Sequence, residues 1–189
     1  MTPAAPVLEA SADPDVWFVG PDETRPFEQW LPQAVDLVTH TVPGADDPDR
    51  RAYVTLVLAR IGQPADNLLP YRMIRWLDLD ELPFVVTFGM APREDVGDGS
   101  WFLDARDGDP VEAPIIDAVR APDGLRVRRG VVWTEVEGGL LVEARYVVDE
   151  ADPDVVVLVQ AANRVPGRVV AALDDLDRLA AGLRVRRDG

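Results

Sequence analysis

Cysteine and lysine are both missing from this 189-residue chain, histidine occurs once, at His40, and serine only at Ser11 and Ser100. Without cysteine there is no disulfide, no thiolate nucleophile and no thiolate metal ligand. Without lysine no Schiff base forms, no cofactor is held as an internal aldimine, and no phosphate-loop Lys exists. All nineteen basic residues are therefore arginine, set against 34 acids for a formal charge of −15. That balance argues against nucleic acid and against anionic membrane as partners, since both reward a positive surface. Long apolar runs are lacking as well. The longest aliphatic stretch is Val155–Val159, far short of the roughly 18 residues that span a bilayer. The first fifteen residues, MTPAAPVLEASADPD, hold no Lys, no Arg and no apolar core, so no secretory signal is expected and the cytoplasm is the default location.

What is present reads as one α+β domain over 17–189 behind a disordered Pro/Ala/Asp-rich leader, 1–16. Val16–Val19 is a short apolar run fit for a strand. The apolar spacing from Phe27 to Val38 is helical, and Pro32 places the helix start near Leu31. Tyr53–Ile61 (YVTLVLARI) reads as a buried strand, with a helix as the alternative. Leu68–Leu79 has no clean period and stays unassigned, whereas Phe84–Met90 is strand-like and Pro92–Ser100 is a loop.

The second half is more regular. Leu125–Glu137 and Leu140–Val148 flank Gly138-Gly139, a hairpin connection. With those two glycines in the turn, Val136 faces Leu141, Thr134 faces Glu143, Val132 faces Arg145 and Arg128 meets Asp149. Val131, Trp133, Val142, Ala144 and Tyr146 then share an apolar face. Asp149–Pro153 is the next turn, and Val155–Ala162 reads as a central strand buried on both faces. A helix opens near Pro166, buries Val169, Leu173, Leu176, Ala180 and Leu183, and stops at Gly182. The whole predicts an antiparallel β-meander sheet flanked by helices, closed by an amphipathic C-terminal helix.

The hairpin, the Val155–Val159 strand and the closing helix RVVAALDDLDRLAAGL resemble the PsbP-like α/β/α sandwich, a group containing many small bacterial proteins. The resemblance covers about a third of the chain. It implies an accessory or binding role and supplies no catalytic set.

Candidate chemistry is sparse. Ser100 and His40 are the only nucleophile and base, but GDGSWF lacks the G-x-S-x-G elbow, and His40 suits a helix end. Gly97-x-Gly99 has no third glycine for a dinucleotide fingerprint, so no cofactor is expected. The acidic clusters Asp46-Asp47-Pro-Asp49, Asp104…Asp107-Gly-Asp109 and Asp149-Glu150-Ala-Asp152-Pro-Asp154 break the alternating calcium pattern and read as solvated turns, with no metal.

One string recurs. GLRVRR stands at Gly124–Arg129 and again at Gly182–Arg187. Its arginines, Arg126, Arg128 and Arg129 in the first copy and Arg184, Arg186 and Arg187 in the second, form either solvated faces with local charge balance or an anion or acidic-partner site. Charge balance explains them with fewer assumptions. Trp76 and Trp101 are candidate partner or pocket contacts. The reading that follows is a non-enzymatic module acting on another protein. An Asp/Glu-based or metal-assisted hydrolase is the first alternative. Small-molecule binding beside Trp133 and Tyr146 is the second.

Overall fold

Asp47 shows how local chemistry starts the structure. In the computed structural model its carboxylate accepts from the backbone N–H groups of Asp49 and Arg50 at 3.0 and 3.3 Å, with Pro48 at the first helical position. This is an N-cap followed by the residue best suited to a first turn. The residues described are 6–63, 68–104, 109–121 and 125–187. They fall into two compact units, one of Asp13–Thr87 and one of the residues up to Ala12 together with those from Phe88 onward.

The first unit is built on α1 (Phe27–Thr41) and α2 (Pro48–Ile61). The stretch read as a buried strand over Tyr53–Ile61 is helical, the alternative left open. The reason is visible in its spacing: Val54, Val57, Leu58 and Ile61 stand at i, i+3, i+4 and i+7 and turn one stripe to the core. Leu56, on the other side, is 70% exposed. Helix α1 starts four residues before the position expected from Pro32, which lies inside it. Beside the helices run β2 (Phe18–Val19) and β3 (Tyr71–Arg75), paired antiparallel. The latter fills the stretch that had no clean period. Trp30 closes the packing: its ring is buried and its indole N–H donates to the Val19 carbonyl at 2.8 Å.

The sheet is antiparallel and seven-stranded, in the order β2-β3-β4-β8-β7-β6-β5. Its remaining members are β4 (Phe84–Pro92), β5 (Ile115–Val119), β6 (Arg126–Val136), β7 (Gly139–Asp152) and β8 (Val155–Asn163). Sequential neighbours β5 to β8 form the expected meander. Val155–Val159 are all buried, as a strand with neighbours on both edges and cover on both faces requires. Among the described residues between β4 and β5 lie two single turns of helix, α3 (Arg93–Val96) inside the Pro92–Ser100 stretch expected to be a loop and α4 (Ser100–Leu103) beginning at its end.

The β6–β7 register differs from the sequence reading by two residues. Val136 faces Gly139, Thr134 faces Leu141, Val132 faces Glu143, and Asp149 meets Arg126 instead of Arg128. Glu137 and Gly138 make the turn, and Gly138 takes the positive φ of +89° that a two-residue hairpin demands. Since the slip is even, every side chain keeps its predicted face. On one face Tyr146, Val142 and Ala144 lie under α5 (Pro166–Ala181), which buries Val169, Ala172, Leu176, Leu179 and Ala180. On the other, α4 packs against β6 and β7 so closely that a Cβ on Gly130 would stand 2.7 Å from the Leu103 carbonyl oxygen.

Two further expectations change. The N-terminal stretch read as a disordered leader contains a strand, β1 (Pro6–Ala10), antiparallel to β9 (Leu183–Arg187) in a separate two-stranded sheet. Composition alone gives Pro6–Ala10 no reason to order; the open side of β9 does. The turn expected over Asp149–Pro153 is mostly strand, with β7 running to Asp152 through an irregularity between Val148 and Asp152. Among the described residues no helix is long and apolar enough to cross a membrane.

Candidate functional site

The arginines of the second unit sort by what holds them. Arg93 and Arg187 clamp the end of the β7–β8 hairpin. Arg93 reaches Asp149 at 2.5 Å and the Pro153 carbonyl at 2.9 Å. Arg187 grips both oxygens of Asp152 at 2.6 and 2.9 Å and donates to Asp154 at 2.8 Å. Two acids of the third cluster, Asp149 and Asp152, are therefore not solvated, while Asp154 stays exposed. Asp149 and Asp152 are buried, 7% and 5% exposed, which is tolerable only because each carboxylate meets a guanidinium. Hydrogen bonds from Arg187 hold the Asp152 carboxyl below the usual carboxylate range, against the opposing effect of burial.

The first GLRVRR copy divides between the two faces of β6. Arg128 donates to the Ser100 hydroxyl at 3.0 Å and to Asp98 at 3.4 Å. Arg129, on the opposite face, holds both oxygens of Asp177 on α5 at 3.0 and 2.9 Å and Asp117 on β5 at 3.1 Å. The Tyr146 hydroxyl, fully buried, donates to the same Asp177 at 2.8 Å. Burial and the Asp177 charge together push that phenol well above its ordinary value. Arg126 stands opposite Asp149 on the ladder.

In the second copy Arg186 pairs with Glu9 at 2.9 Å across the β1–β9 ladder. Arg184 behaves differently. Its guanidinium donates to the carbonyls of Ala181 and Leu183 at 2.8 and 2.7 Å, and among the described residues it has no carboxylate partner. It lines a cleft of about 590 Å³ between the end of β5, the last turns of α5 and the start of β9. Arg120 and Arg178 line it too, together with Asp177, Val119 and Ala181.

The other candidates are taken up structurally. Trp76 is 4% exposed, its indole N–H shared between the carbonyls of Asp78 and Glu81 and its ring edge-on to Tyr53. It belongs to the core of the first unit and presents no contact surface. Trp101 is half-buried against Phe102, its N–H donating to the Val96 carbonyl at 3.2 Å. His40 sits in the last turn of α1 with its Nδ1 against the Asp36 carbonyl at 2.6 Å, the helix-end place expected of it. Ser100 donates to Asp98 at 2.7 Å, and hydrogen bonds from Ser100 together with the Arg128 charge hold the Asp98 carboxyl low. Of the acidic clusters, Asp47 is a helix cap, and the segment 105–108 lies outside the described residues. The sequence reading missed Arg120 and Arg178. Nothing in their spacing marks them, because three distant segments bring them to one cleft.

No family model matches the chain and no curated protein matches it. Solved structures do. The chain is similar to LpqN of Mycobacterium tuberculosis, involved in cell envelope biogenesis, with a TM-score of 0.51 and 11% identity over 97% of this chain and 85% of that one. It is also similar to the PsbP protein (CyanoP) of Synechocystis sp. PCC 6803, with a TM-score of 0.45 and 14% identity over 95% of this chain and 92% of that one. The likeness is one of fold, and the match to LpqN takes in nearly the whole chain rather than its last third.

Proposed function

We propose that this chain is a non-catalytic accessory module that binds an extended apolar segment of a positively charged partner protein along β5. One observation carries the reading. Strand β5 ends the sheet order, and Ile115 and Ile116, which point to opposite faces, are 55% and 46% exposed. An edge strand with apolar side chains open on both faces is the surface that proteins ordinarily blunt, and strand addition is the interaction it fits. A formal charge of −15 repels a second copy and steers a basic partner.

The hydrolase alternative finds less support. A catalytic acid needs a raised carboxyl pKa, yet among the described residues the carboxyls whose ionisation is displaced move down. Asp98 and Asp152 do so through donated hydrogen bonds; at Asp22 burial works the other way, but hydrogen bonds from Thr24 and Arg25 prevail.

Selection from a displayed random-peptide library against the whole chain tests the proposal. Enriched peptides should be extended, apolar at alternate positions and basic, and should protect the amides of 115–119 from hydrogen exchange. Ile116→Lys combined with Ala118→Pro should abolish binding. Protection confined to other segments would reject β5, and a chain that sediments as a dimer through those amides would replace the partner with a second copy.

A further inference from the structure

The cleft at the end of β5 carries a separate inference, independent of the strand-addition reading. Across the second unit the arginines whose partners are described above are mostly spent on carboxylates: Arg93, Arg128, Arg129, Arg186 and Arg187 each have one within 3.4 Å. Arg145 is spent likewise, on the buried Glu143 at 2.8 Å. Arg120 and Arg184 are not; among the described residues neither has a carboxylate partner, and both line one cleft. Arg178, at the same cleft, pairs among the described residues with Asp175 on its own helix and stays 75% exposed.

The described acids near that cleft, Asp177, Asp117 and Glu9, are already engaged. Asp177, which lines it, takes two N–H bonds from Arg129 and one hydroxyl from Tyr146. Asp117 is held by Arg129 and Glu9 by Arg186. In a chain with 34 acids and nineteen arginines, a local excess of guanidinium over carboxylate runs against the composition. Arg184 is also fixed in place. Two hydrogen bonds anchor one terminal nitrogen, one to the Ala181 carbonyl at the negative end of α5 and one to the Leu183 carbonyl at the start of β9. Its other N–H donors are left for a ligand, so little side-chain freedom remains to be lost on binding. Val119 and Ala181 add apolar wall between the charges. The volume, about 590 Å³, lies in the range of small-molecule sites, roughly 300–1,000 Å³.

We infer that this cleft binds a small organic anion, its carboxylate or phosphate held between Arg120 and Arg184 and its apolar body laid along Val119 and Ala181. Arg178 at the rim strengthens the field without being required for contact. The shared chemistry is a planar or tetrahedral oxyanion taking paired N–H donors from guanidinium groups.

Isothermal titration of the full chain with benzoate, phenyl phosphate, inorganic phosphate and neutral benzamide tests this. Benzoate or phenyl phosphate should bind with a dissociation constant below about 1 mM, weakening as salt rises. Benzamide should bind at least about tenfold more weakly. Arg120→Gln, at an exposed position that leaves the fold intact, and Arg184→Gln should each weaken the anion about tenfold or more, and Arg184→Lys should restore part of it. Tighter binding of phenyl phosphate than of benzoate names a phosphate ester as the ligand class, the reverse order a carboxylate. Four results overturn the inference: no binding of any anion at about 10 mM, equal binding of benzamide, inorganic phosphate binding as tightly as either aromatic anion, or an Arg120→Gln chain that binds like the parent. Melting curves of each variant separate lost binding from lost folding, and Arg120→Gln keeps the result readable even if Arg184→Gln melts early.

Discussion

Leu125–Arg129 and Leu183–Arg187 carry the same five residues, and the two segments meet different surroundings. The first enters β6, between β5 and β7, with Val127 only 1% exposed and Arg128 and Arg129 committed to opposite faces of the sheet. The second forms β9 in a two-stranded sheet with β1, where Val185 is half-buried and Arg186 stands mostly in water. Identical local chemistry produced identical backbone, since alternating Val and Arg suits a strand in either place. The energies differ because burial differs: a guanidinium closed in with its carboxylate cannot be traded for water, whereas an exposed one can.

That contrast can be broken most forcefully beside the first copy. Gly130→Ala puts a methyl against the Leu103 backbone, which cannot rotate away, so a loss of about 3 kcal/mol and a melting midpoint lower by roughly 6–10 °C are expected in a calorimetric scan. A midpoint within about 1 °C of the parent would mean that α4 does not press on β6 as described. Arg129→Leu comes next. It strands Asp177 and Asp117 and leaves the Tyr146 hydroxyl facing an unbalanced charge, for a cost of about 2 kcal/mol by chemical denaturation. This is less than for a fully buried pair, because Asp177 keeps 26% exposure.

In the second copy Arg187 governs acid sensitivity. The folded-state value of Asp152 lies below the ordinary 3.8, so its contribution is fully present above that value and is lost as pH falls through the folded one. Arg187→Leu should remove this part of the acid profile, flattening the stability-versus-pH curve below about pH 4. An unchanged curve would assign the clamp to Arg93 alone. The smallest effect belongs to Arg186→Ala, whose exposed pair with Glu9 should contribute less than about 0.5 kcal/mol to denaturant unfolding. A larger loss would show that β1 depends on that pair to stay on β9.

Much of this was legible beforehand, and the misses share a cause. Helix α5, the buried β8 and the two faces of the β6–β7 hairpin follow from periodicity, which is a property of consecutive residues. His40 takes the helix-end place its position in the sequence suggests, while the partners of Ser100, Asp98 and Arg128, come from outside any local pattern. The errors lay where a neighbour distant in sequence decides. Pro6–Ala10 becomes a strand because β9 offers an edge, Trp76 disappears into a core closed by α2, and Asp149 and Asp152 are drawn inside by Arg93 and Arg187. Tyr53–Ile61 was ambiguous for another reason, its β-branched content opposing a helical spacing that Asp47 and Pro48 settle.

By itself the sequence determined what chemistry is available, namely guanidinium, carboxylate and aromatic groups without thiol or amine, and where the backbone can coil or extend. Only the tertiary structure decided which arginines meet a carboxylate and which, among the described residues, line a cleft without one. Periodicity acts over a few residues, whereas a charge is balanced by whatever carboxylate the fold carries to within about 4 Å of it.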